Sequence, residues 1–134
     1  MGSDRGRFGD VRTGEIGLDR TDSGVTVLTI SGEHDLNTAP QLRGQLDHLL
    51  GGGDPIVIDL TPASFIDSSI IGVVLEGRRR ADDAGTGFAV AHGEGADAVG
   101  RVLEVTRLRE ELPVHGSLDA ALKHASSNTG KPSS

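Results

Sequence analysis

The sequence predicts an α/β domain, a mixed β-sheet of four to five strands covered by about four helices. Two observations carry that expectation. Short, β-branched apolar runs alternate along the chain with stretches whose apolar residues recur at helical spacing. The 134 residues are 35% hydrophobic, which suffices for one domain with a modest core.

Residues 1–13 are rich in Gly, Arg and Asp without periodicity and are expected to form a disordered tail. The domain itself is expected over residues 14–125. It opens with a weakly alternating edge strand, Glu15 to Arg20, then the turn residues Thr21-Asp22-Ser23-Gly24 and a half-buried strand, Val25 to Ile30. Thr38, with Gln41 three residues on, has the pattern of a helix N-cap. Leu42, Leu46, Leu49 and Leu50 share one face of the helix that follows, which is expected to end at Gly51.

After the loop Gly51-Gly52-Gly53-Asp54, the run Pro55-Ile56-Val57-Ile58-Asp59-Leu60 reads as a buried strand. Ile70, Ile71, Val74 and Leu75 then recur at helical spacing, with Glu76 and Arg78 to Arg80 free to face water. Phe88 to Ala91 is a further buried strand, and Ala98, Val99, Val102 and Leu103 mark a further helix. Val114 and the stretch Ser117 to Leu122 suggest a last short strand and a capped helix. Residues 126–134 are polar, contain Gly and Pro, and are expected to form a second disordered tail.

Several function classes are disfavoured by composition. A net charge of −7 opposes general nucleic-acid binding, which draws on clustered Lys and Arg, and the absence of Trp and Tyr leaves little for base stacking. Without cysteine there is neither a disulfide framework nor thiol chemistry. No apolar run approaches the ~20 residues needed to span a bilayer, so a cytoplasmic protein without membrane insertion is expected.

Local motifs for catalysis are weak. His92, Glu94 and Asp97 lie within six residues, but their spacing matches no helical histidine pair or calcium loop. Gly51-Gly52-Gly53 lacks the Lys and Ser/Thr of a phosphate loop and precedes a strand. Ser68 has no Gly-x-Ser-x-Gly setting, and His34 and Asp35 read as loop and turn residues rather than an acid–base pair. No catalytic residue, metal or cofactor is therefore expected.

The most informative segment is Phe65-Ile66-Asp67-Ser68-Ser69-Ile70-Ile71-Gly72, which places an acid and two hydroxyls where a strand gives way to a helix. The first N–H groups of a helix lack intrahelical partners, and a side-chain oxygen or an anion can satisfy them. On their own, Asp67 and Ser68 fit an ordinary N-cap, worth about 1 kcal/mol, better than they fit a regulated site.

Taken with Ser31-Gly32-Glu33-His34-Asp35-Leu36-Asn37-Thr38-Ala39 and Val99 to Leu108, this segment resembles the STAS family of anti-sigma factor antagonists over about residues 14–125. In that family a strand ending in Gly-Glu-Leu-Asp leads into a helix starting near Thr-Ala, and the next strand ends in Met-Asp-Ser-Ser-Gly-Leu-Gly. Here the second string is Ile66-Asp67-Ser68-Ser69-Ile70-Ile71-Gly72, and His34 stands where Leu is usual. Ile70 takes the place of a Gly, as does Arg107 further on. A branched side chain at 70 is expected to project from the first helical turn and alter docking, and Arg107 to end its helix at a cost.

The resemblance implies a single STAS-like domain that switches partners. The unphosphorylated protein would bind an anti-sigma factor that is also a serine kinase, freeing its sigma factor. Phosphorylation at Ser68 would then break the complex, and a phosphatase would reverse the modification. Glu33, Asp35, Asn37, Thr38, Asp67, Ser68, Ser69, Ile70 and Ile71 are the partner-binding residues it implies, in a monomer or weak dimer with no cofactor and no enzymatic activity. The alternative is a constitutive adaptor, such as the STAS-like subunit of a lipid transporter, without phosphate control. A small nucleotide-hydrolysing enzyme is a weaker third option.

Overall fold

The structure, a computed structural model, describes residues 14–93, 98–105 and 112–128. In chain order these residues form β1 (Glu15–Arg20), β2 (Thr26–His34), α1 (Ala39–Gly52), β3 (Ile56–Asp59), β4 (Ala63–Ile66), α2 (Ser68–Ala84), β5 (Phe88–Ala91), α3 (Ala98–Val105), β6 (Val114–His115) and α4 (Leu118–Asn128). The main sheet runs β1-β2-β3-β5-β6. β1 is antiparallel to β2, and the remaining pairs are parallel.

Alternation along the strands explains why they read as continuous apolar runs. Leu28, Ile30, Ile56, Ile58, Phe88 and Val90 enter the larger core beneath α1, α2 and α3. Their neighbours Val27, Val57, Ala89 and Ala91 enter a smaller one against Ala121 and Ala125 of α4. Successive side chains point to opposite faces, so a strand covered on both sides has no polar phase. Small residues dominate the second face because a single helix, itself lined with alanine, closes over it.

α1 and α2 lie side by side over the larger core. A β-carbon on Gly77 would come within 3.1 Å of Leu46 Cδ1 and 3.4 Å of Phe88 Cε2, so the missing side chain lets these helices and β5 approach closely. Across their outer edge Arg43 pairs with Glu76 and Arg80 with Asp47. Such exposed pairs are worth about 0–1 kcal/mol each and fix alignment more than stability.

Four differences from the sequence expectations have physical causes. β4, which makes the sheet six-stranded rather than four- to five-stranded, is only four residues long and follows Pro62 directly, too short for periodicity to register. α1 continues to Gly52, with Gly53 in the left-handed conformation (φ 83°) as its C-terminal cap. Thr38 stands at the N-cap position of α1 but makes no side-chain capping bond, because its hydroxyl is used by His34 and Asp35. α4 extends through Ser126 and Ser127 to Asn128, residues that the sequence assigns to the tail. Arg107, Glu94 and Asp97 lie outside the described residues.

Candidate functional site

Two adjacent chain segments build the site: the β2–α1 loop, Asp35 to Thr38, and the β4–α2 junction, Ile66 to Ser69. β2 and β4 bring them together by pairing Glu33 with Phe65 and His34 with Ile66.

At the junction Asp67 is the N-cap of α2, with extended backbone. Its Oδ1 accepts from the Ser69 N–H at 3.0 Å, the Ile70 N–H at 3.4 Å and the Ser69 hydroxyl at 2.5 Å. Burial pushes the carboxyl upward, but the Ser69 hydroxyl and the N–H groups of Ile70, Ser69 and Leu36 outweigh it and hold Asp67 below the ordinary aspartate value. Ser68, the first residue of α2, is exposed, and no described residue hydrogen-bonds its hydroxyl. Ser69 is half-buried and committed to Asp67.

The loop is folded on itself. Asp35 Oδ1 accepts from the Asn37 N–H at 2.9 Å, and the Asp35 carbonyl accepts from the N–H groups of Thr38 and Ala39 at 3.0 Å each. Glu33, Asp35 and Asn37 are exposed, and Thr38 is half-buried. His34 is the last residue of β2 and only 1% exposed, so it is a core residue rather than the loop residue the sequence suggests.

Ile70 and Ile71 are corrected outright. Ile70 is 0% exposed and Ile71 is buried, both inside the larger core. The helical phase of α2 points its first-turn branched residues inward, so Ile70 does not project toward a partner, and neither side chain can form a docking surface. The apolar residues that do face outward are Leu36, 70% exposed, and Phe65, 41% exposed. Sequence reasoning passed over both, because an isolated leucine or phenylalanine reads as core. Their one available signal is position, beside the two segments that carry the motif.

Between α1 and α2, next to Ser69, lies an open groove of about 530 Å³ lined by Leu36, Ala39, Pro40 and Val73 together with the charged Arg43 and Asp47. Gly44 and Gly72 would each direct a β-carbon into empty space, so two missing side chains leave this groove unfilled. An exposed hydroxyl at a helix start, exposed apolar anchors and a largely apolar groove together suit docking of another macromolecule.

Elsewhere, the His115 and His124 rings lie 4.9 Å apart between β6 and α4. His115 Nε2 is buried without a hydrogen-bond partner. Burial, the His115 ring and the Arg78 guanidinium hold His124 below the ordinary histidine value. No group of three or more potential metal ligands occurs among the described residues, and no helix among them is long and apolar enough to cross a membrane.

Comparison with known proteins follows the same lines. A family model described as "Mlab, STAS domain" matches residues 17–118. No curated protein matches the chain. Among solved structures, an anti-sigma factor antagonist from Mycobacterium paratuberculosis is 28% identical, with a TM-score of 0.75 over 85% of this chain and 95% of that one. The Bacillus cell fate determinant SpoIIAA in its phosphorylated form is 19% identical, with a TM-score of 0.62 over 81% of this chain and 97% of that one. A sulfate transporter family protein from Wolinella succinogenes is 21% identical, with a TM-score of 0.64 over 81% and 89% respectively.

Proposed function

The chain belongs to the STAS domain family, and from that premise we propose that it is an anti-sigma factor antagonist whose docking patch is switched off by phosphorylation at Ser68. The unphosphorylated form binds an anti-sigma factor with serine kinase activity and thereby releases a sigma factor, acting in the cytoplasm and without catalysis of its own. A phosphatase resets it. The observation that carries the reading is the contrast between neighbouring serines: Ser68 presents a free, exposed hydroxyl, whereas Ser69 is held by Asp67.

The patch comprises Leu36 and Phe65 as apolar anchors, the groove between α1 and α2, and a polar rim of Glu33, Asp35, Asn37, Thr38, Asp67 and Ser69. A phosphoserine carries about −1.5 to −2 charge at neutral pH. At the first position of α2 that charge is tolerated by the helix dipole, an interaction of about 0.3–1 kcal/mol. It nonetheless stands beside the Asp67 carboxylate at the edge of an apolar surface. A partner packed there would have to bury two adjacent negative groups, so binding falls while the fold persists.

The test uses the anti-sigma factor kinase of the native host with ATP and an intact-mass measurement. One phosphate is expected on the wild type, none on Ser68→Ala, and undiminished modification of Ser69→Ala. Ser68→Ala should stay bound to the kinase, and Ser68→Asp should lose at least about tenfold in affinity, equivalent to 1.4 kcal/mol. Equal phosphorylation of the Ser68→Ala protein overturns the assignment.

A second reading, a constitutive adaptor such as the STAS subunit of a lipid transporter, is favoured by one feature. The family model that matches residues 17–118 is described as "Mlab, STAS domain" and not as an anti-sigma factor antagonist. Recovery of a transporter ATPase rather than an anti-sigma factor in a pull-down from the native host selects it.

A further inference from the structure

We infer that His34 is the residue that positions the docking loop, acting through the Thr38 hydroxyl to hold Leu36 against the Asp67–Ser68 corner; this rests on the docking reading above. The imidazole is enclosed at the end of β2 and bonded at both ends. Nε2 lies 2.9 Å from the Ser31 carbonyl oxygen, which can only accept, so Nε2 carries hydrogen. Nδ1 lies 3.0 Å from Thr38 Oγ1, within hydrogen-bond reach of that hydroxyl.

Thr38 passes this constraint to the loop. The same oxygen accepts from the Asp35 N–H at 3.1 Å, and the hydroxyl also points toward the Asp35 carbonyl at 3.2 Å. One threonine hydroxyl thus joins the end of the strand, the start of the loop and the entrance to α1. Leu36 sits within that closed turn and lines the same groove as Ser69. The ring is also confined from outside, because a β-carbon on Gly14 would fall 2.3 Å from His34 Nε2 and 2.3 Å from the Glu33 carbonyl oxygen. Only glycine lets β1 begin this close to the imidazole.

An aliphatic side chain at position 34 could fill the same volume but would offer neither bond. The Thr38 hydroxyl would then answer to Asp35 alone, and the exposed Leu36 side chain would no longer be fixed relative to Ser68. His34 is therefore a positioning residue, buried and remote from any partner, that sets the geometry of the most exposed apolar anchor in the patch.

The test is amide hydrogen exchange by NMR on the whole protein, comparing His34→Leu, Thr38→Val, Thr38→Ser and the His34→Leu/Thr38→Val double variant. The Leu36 and Asn37 amides should exchange about tenfold faster in His34→Leu and in Thr38→Val, and no faster again in the double variant. Thr38→Ser, which keeps the hydroxyl, should retain wild-type protection. Ile30→Val, a core change that leaves the loop bonds in place, should not selectively expose these amides. Unchanged Leu36 protection in both single variants overturns the inference, as does loss of protection in Thr38→Ser equal to that in Thr38→Val.

A second arm measures affinity for the host anti-sigma kinase. Leu36→Ala should cost at least about tenfold in the wild-type background and less than about threefold in His34→Leu. An equal cost in both backgrounds also overturns the inference. If the wild type binds no anti-sigma factor at all, the docking reading fails, and the exchange measurement alone decides the role of His34.

Discussion

The Asp67 carboxylate holds the Ser69 hydroxyl at 2.5 Å while the intervening Ser68 hydroxyl has no partner among the described residues. Consecutive residues at a helix start point in different directions, about 100° apart around the axis. The acid can therefore engage the second serine, in the half-buried interior of the corner, and leave the first turned to solvent.

Asp67 should support stability in a pH-dependent way. Asp67→Ala removes an acceptor used by two backbone N–H groups and should cost about 1–2 kcal/mol in urea denaturation at neutral pH. Asp67→Asn keeps an oxygen and should cost less. The folded carboxyl lies below its ordinary value, so the ionised form favours folding. That contribution is complete above the unfolded value of about 3.9 and is lost as pH falls through the lower, folded value. The Asn variant should show a correspondingly shallower acid limb.

Surface and core apolar residues in the motif should separate cleanly. Ile70→Ala leaves a cavity in the larger core and should destabilise by about 2–4 kcal/mol. Leu36→Ala and Phe65→Ala should leave stability within about 0.5 kcal/mol of wild type, yet weaken partner binding by about tenfold or more, as buried interface anchors do. Thermal unfolding and a binding isotherm on the same three proteins check both halves. A stable Ile70→Ala protein that has lost only binding would contradict the packing described here.

His124 should make the protein acid-sensitive well above the carboxylate range. Its folded value lies below that of an unfolded histidine, about 6.5. The unfolded chain therefore takes up protons first, and stability declines as pH falls below about 6.5 until the folded value is passed. The groups facing the ring are His115 on β6 and Arg78 on α2, and Arg78 is itself paired with Asp82 at 3.0 Å. Tm should be flat above neutrality and fall on mild acidification, and His124→Gln should reduce that slope.

The alternation of strands and helices was legible because each buried run is bounded by Gly, Pro or Asp, as at Gly53-Asp54-Pro55 before β3 and Gly85 before β5. The place of Ser68 at the start of a helix was legible because a polar cluster between a strand and an amphipathic helix has few places to go. Three things were not. β4 offers only Ala63 and Ile66 as buried positions, which period-two reasoning cannot distinguish from a loop. Ile70 was misplaced because the facing of a first helical turn depends on the angle at which the chain enters it, here set by Asp67. His34 was hidden because one histidine among polar neighbours carries no mark of burial, and its partners Ser31 and Thr38 become visible only in three dimensions.

β2 changes companions along its length: Thr26 to Thr29 pair with β3, and from Gly32 the strand pairs with β4, with an irregularity between Gly32 and Glu33. The corner bearing Ser68 therefore rides on a narrow outrigger rather than on the broad slab behind it. That outrigger is held by the rungs Gly32–Ala63, Glu33–Phe65 and His34–Ile66 and by Ala63, Ile66 and Ile70 in the larger core. Under the proposed switch, the slab would stay still while its appendage changes state, so that one small domain could be altered repeatedly without being unfolded.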